Sequence, residues 1–202
     1  MKTLTRIIFS LVFLINITGA AYAAVGCSLN DPDRDVKKIF PESSGYKTSF
    51  VTIKEKGGEV LKKKIEEELG DTLEPVYENI DVPYAYYTVL KGRDIIGYIH
   101  GVNQKGKYGG MQLIMATDLT GKILNFYYQK MSSPEAKKFM DQSFTNQFIG
   151  LTLDDFMKGN LSVKDHSQES HQDFQATLRG LKKNLILLEE FKPAGETAGK
   201  IE

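Results

Sequence analysis

Between Asp165 and His171 the chain places Asp165, His166, Glu169 and His171 within seven residues. Carboxylates and imidazoles at that density are the ligand types of a divalent cation. The two histidines stand five apart, however, a spacing that a helix does not bring onto one face, and no cysteine completes the set. A solvated polar loop accounts for the cluster more simply. His100 falls inside an apolar run and reads as a strand residue with a satisfied side chain. Gly106, Gly109 and Gly110 make a flexible turn, but no Gly-Lys-Ser/Thr follows to form a Walker loop. Tyr86-Tyr87 and Tyr127-Tyr128 offer rings that would stack on a flat cofactor or pack across strands. No Ser-His-Asp grouping or carboxylate pair announces a hydrolase, and no Cys-x-x-Cys-His announces haem. Cys27 is the sole cysteine, so the chain has no internal disulfide.

The elements that must position these residues are legible from periodicity. Residues 28–46 read as an irregular lead-in, with Asn30-Asp31-Pro32-Asp33 as a turn and one helical turn around Val36, Ile39 and Phe40. Thr48 to Ile53 alternates as a strand. Gly57 to Leu69 predicts an amphipathic helix with Val60, Leu61, Ile65 and Leu69 inward and Gly70 as its stop. Four strands follow, Tyr84–Leu90, Ile95–Val102, Met111–Thr117 and Ile123–Tyr128, and their short connections predict an antiparallel meander. Ser133-Pro134-Glu135 and Thr152 are helix starts, the second for a short segment ending near Met157. Phe174, Leu178, Leu181, Leu185 and Leu188 recur at spacings of four and three and form one stripe. Ser170 and Asp173 resemble a capping box, and Pro193 ends the helix before a solvated tail, 193–202. The expected fold is α+β: a twisted antiparallel sheet packed against helices, one domain over 84–192 with an N-terminal extension over 27–83.

Three segments of the meander, taken in order, carry a resemblance. Gly97-Tyr98 with Gly101, then Tyr108-Gly109-Gly110-Met111-Gln112-Leu113-Ile114-Met115, then Asp118-Leu119-Thr120-Gly121-Lys122-Ile123 resemble the FMN-binding domain family. That family includes flavin-carrying periplasmic subunits of the Rnf and Nqr membrane electron-transport complexes. In it a flavin transferase joins FMN through its phosphate to a threonine, in a motif like Ser-Gly-Ala-Thr with an aspartate upstream. Here Ala176-Thr177 stands in register with that motif. Phe174 and Gln175 replace the Ser-Gly pair, and His171 stands at the aspartate's place. The resemblance spans about Tyr84 to Leu188. It implies FMN as cofactor, with Thr177, Ala176, Gly109, Gly110 and Ser133 around it, and an electron-transfer role. With the Ser-Gly pair missing, a flavin-free accessory or assembly module of such a complex is the alternative.

The N-terminus reads as an export signal. Lys2 and Arg6 precede the apolar stretch Ile7–Ile17, and small residues flank a cut after Ala23. Ala24-Val25-Gly26-Cys27 also resembles a lipobox, which would make Cys27 a lipid-bearing N-terminus and the leader 1–26 rather than 1–23. Either cut predicts a periplasmic or membrane-anchored protein. The full chain has 26 basic and 26 acidic residues. Losing Lys2 and Arg6 leaves 24 against 26, net −2, which offers no electrostatic footprint for nucleic acid.

Overall fold

The computed structural model describes residues 27–159 and 161–192; the expected leader and tail lie outside them. Five antiparallel strands form one sheet in chain order: β1 (Gly45–Val51), β2 (Tyr84–Lys91), β3 (Asp94–Gly106), β4 (Gly109–Thr117) and β5 (Ile123–Met131). β2 is buried at every position from Tyr84 to Val89. A strand covered on both faces has no solvent side, which is why these segments read as apolar runs rather than alternations.

One face carries the last helix, α7 (His171–Phe191), laid across β3 and β4. Its stripe is buried as the periodicity predicts, except at Leu178, which is only partly covered. Gly180 sets how closely the helix approaches: a Cβ there would lie 2.2 Å from Leu113 Cδ1. Flanking α7 are α3 (Gly58–Leu69) and a run of short helices, α4 (Ala136–Met140), α5 (Gln142–Thr145), a 3-10 turn (Asn146–Phe148) and α6 (Leu153–Lys158). α3 buries Leu61, Ile65 and Leu69, but Val60, expected among them, is 81% exposed. Thr52 does not continue the first strand to Ile53. Its hydroxyl accepts the Glu55 N–H while the Glu55 carboxylate accepts the Thr52 N–H, a capping box that starts the short helix α2 (Ile53–Lys56).

The lead-in covers the opposite face. Asp31 caps α1 (Pro32–Ile39), with Pro32 in its first turn. Val36 and Phe40 join Cys27, Leu29, Ala85, Tyr87, Ile99 and Ile114 in a second core. This explains two glycines of the meander by packing alone. A Cβ on Gly97 would lie 2.6 Å from the Phe40 ring, and one on Gly101 would lie 2.5 Å from the Cys27 carbonyl oxygen. The segment 27–83 is thus built into the fold at both places, as edge strand β1 and as the second layer.

Candidate functional site

The hairpin between β3 and β4 turns at Lys107-Tyr108, and Gly109 has φ 134°, in the region that favours glycine. The Lys107 N–H donates to Asp173 Oδ1 at 2.6 Å, pinning the turn to the first turn of α7. A Cβ on Gly109 would lie 3.1 Å from the Ser132 Cβ. The Ser133 hydroxyl donates to the Ser170 hydroxyl at 3.4 Å. Gly109 thus lies against Ser132, next to Ser133, and Ser133 lies against the start of α7.

Thr177, however, is sealed. It has no exposed surface. Its hydroxyl donates to the Asp173 carbonyl at 2.8 Å, the back-bond of a helical threonine, and accepts from the Tyr128 hydroxyl at 2.7 Å. Burial pushes the Tyr128 phenol upward, so it stays protonated and able to donate. Ala176 is partly covered by the main core. Its neighbour Thr177 has a hydroxyl that faces no open cleft, because the helix stays wound there and Tyr128 of the sheet lies over it.

Backbone donors just ahead of α7 are also engaged. Ser170 contributes no side-chain cap to α7. Instead the Glu135 carboxylate, 35 residues upstream, accepts the N–H groups of Gln168 (3.0 Å), Glu169 (3.0 Å) and Ser170 (2.9 Å). Three successive N–H groups aimed at one point form an anion nest, and the chain's own carboxylate occupies it. The ion pair with Lys138, these N–H groups and the Ser170 side chain hold Glu135 down to a pKa of about 2. The sequence predicts a helix start at Ser133-Pro134-Glu135; α4 begins later, at Ala136, with Glu135 as its N-cap, and the loop that Glu135 binds lies 33 to 35 residues further on.

Cys27 is 1% exposed, and burial raises its thiol to about 12. Its carbonyl and Cβ lie close over Gly101. The acid–histidine loop resolves into hydrogen bonds: Asp165 meets His171 at 2.7 Å, while His166 approaches Gln147 and the Phe144 ring. No cluster suited to a metal occurs among the described residues.

A second constellation escaped the sequence reading. Lys183 is fully buried and donates to Glu78, to the Asn103 carbonyl (2.8 Å) and to Gln104. Arg179 donates to both Glu78 oxygens, at 2.8 and 3.0 Å. Burial pushes the Glu78 carboxyl up, but Arg179 and Lys183 outweigh it and leave it below the usual range. Burial draws Lys183 downward. Beside them His100 shares its Nδ1 hydrogen with the Asn184 carboxamide, and burial lowers its pKa to about 4. Lys183 falls on the side of the helix away from its apolar stripe, so periodicity carried no signal of it, and its acid lies 105 residues away.

Across the sheet, β5, α1 and residues 140–149 enclose a cleft of about 560 Å³. It is within the size range of ligand sites and lies away from every residue the resemblance implies. No family model matches the chain, and no curated protein matches it.

Proposed function

We propose that this chain is a flavin-free accessory or assembly module of an extracytoplasmic membrane electron-transport complex. The observation that carries the reading is the Thr177 hydroxyl, which has no exposed surface and is bonded to both Tyr128 and Asp173. A phosphoester needs that oxygen uncommitted and reachable. The Glu135 carboxylate in the backbone nest supports the same reading, because an anion's place is already taken. The type of complex comes from the resemblance over Gly97–Ile123, and the exported location from the N-terminal segment.

The test is a visible spectrum and intact mass of the protein purified from its native host alongside its flavin transferase. The expected result is a colourless protein with no added FMN mass. A yellow protein carrying that mass on Thr177 would overturn it. The second reading, an FMN-bearing electron-transfer module, draws on the convergence of Gly109, Ser133 and the start of α7. It requires the first two turns of α7 to unwind and Glu135 to leave its nest.

A further inference from the structure

The two edges of the sheet differ. β1 is exposed from Lys47 to Phe50. β5 forms the floor of the cleft. Ile123 bonds Leu151 and Gly150 through its N–H and carbonyl, but beyond it no outward backbone group of β5 meets another backbone group among the described residues. An edge with unspent N–H and C=O groups accepts an added strand.

The walls supply selection. On one side is α1, where Arg34 is already spent on Asp31 and Asp35, and Lys38 makes no ion pair or hydrogen bond with another described residue. On the other, Met140 and Ile149 are 52% and 43% exposed, large apolar side chains facing water. The carboxamides of Asn125, Gln142 and Asn146 line the same space and likewise bond no other described residue. Each carries donors and acceptors together, the complement of a peptide unit. An unspent ammonium selects an acidic side chain.

We infer that this trough receives an extended, acidic segment of a partner protein as a sixth strand beside β5, with the acid at Lys38 and an apolar side chain over Met140 and Ile149. The partner's belonging to a redox complex rests on the reading above; the trough itself does not.

The full chain, labelled with nitrogen-15, is titrated with a capped peptide of alternating valine and threonine bearing one central glutamate. A second peptide carries lysine in its place. Amide shifts confined to residues 124–130, 142 and 146 are expected. Lys38→Glu should weaken the acidic peptide by roughly fivefold and favour the basic one, as an exposed ion pair allows. No response at millimolar peptide, or shifts centred on β1, overturns the inference. Shifts that appear only after residues 193–202 are deleted make the chain's own tail the occupant, and concentration-dependent shifts without peptide make it a second copy; both overturn the partner. A yellow sample that still binds the peptide overturns the proposed function and keeps the trough. A colourless one that does not bind overturns the trough alone.

Discussion

The two faces of the sheet use their polar residues in opposite ways. Under α7, Glu78, His100, Asp173, Thr177 and Lys183 are all buried and each makes at least one hydrogen bond into the fold, although His100 Nε2 and Asp173 Oδ2 meet no partner among the described residues. On the α1 face the core is almost wholly apolar; at its margin Arg34, Asp35 and Gln129 are bonded, while Lys38, Asn125, Gln142 and Asn146 bond no other described residue. The residues with the most suggestive chemistry are thus the least available, and plain carboxamides and one lysine are the most available. A polar side chain in a core is held there by its partners, because a buried group left unpaired is costly. Availability, not residue type, locates a surface for other molecules.

Breaking each face in turn tests this contrast. Leu181→Asp puts an unpaired charge at a position with no exposed surface and should abolish the cooperative thermal transition. Phe40→Ala on the opposite face should cost about 3–5 kcal/mol yet leave the transition two-state. If Leu181→Asp melts within a degree or two of wild type, α7 does not carry the main core.

Next in size is the ion cluster. Glu78→Ala leaves Lys183 buried without its acid and should cost about 3–5 kcal/mol in urea unfolding. A double replacement, Glu78→Met with Lys183→Met, should recover most of that, since apolar residues of similar volume often replace a buried pair without loss. A double variant as unstable as the single one would show that the charges themselves are required.

His100 makes the α7 face sensitive to acid. Its folded pKa of about 4 lies below its ordinary value of 6.5, so the unfolded chain binds the extra proton first. Stability should be full above about pH 6.5 and fall as pH drops towards 4, by on the order of 3 kcal/mol. Glu78, also depressed, extends the loss below about pH 4.3. Urea midpoints measured from pH 7 to 4 check the first window. A flat profile there would mean that His100 is not closed off as described.

Thr177→Val should cost about 1–3 kcal/mol, because it leaves the Tyr128 hydroxyl buried without its acceptor, while Thr177→Ser should cost less. A valine variant as stable as wild type would reopen Thr177 as a residue kept for chemistry. The smallest effect is kinetic. Cys27 should resist maleimide in the folded chain and react in urea, because burial holds it as a thiol. Rapid native labelling would place its thiol at the surface.

Short-range pattern determined much of this protein. The four strands of the meander, the apolar stripe of α7, the Gly70 stop and the Thr152 start were legible because periodicity and capping act within a few residues. The α1 helix and the capping box at Thr52 carried local signals too, in Asp31-Pro32 and Thr52/Glu55, masked by turn and strand patterns around them. Tertiary structure alone decided which groups are spent. Glu78 meets Lys183 across 105 residues, and Glu135 reaches the Gln168–Ser170 nest across 33 to 35. Cys27 settles on Gly101 in the second core, which makes a motif glycine a packing contact. Such pairings depend on which faces the sheet and helices bring together, and no spacing along the chain encodes that. The Ala176-Thr177 dipeptide shows the boundary: its register was visible in the sequence, and its burial followed from the wound helix under Tyr128.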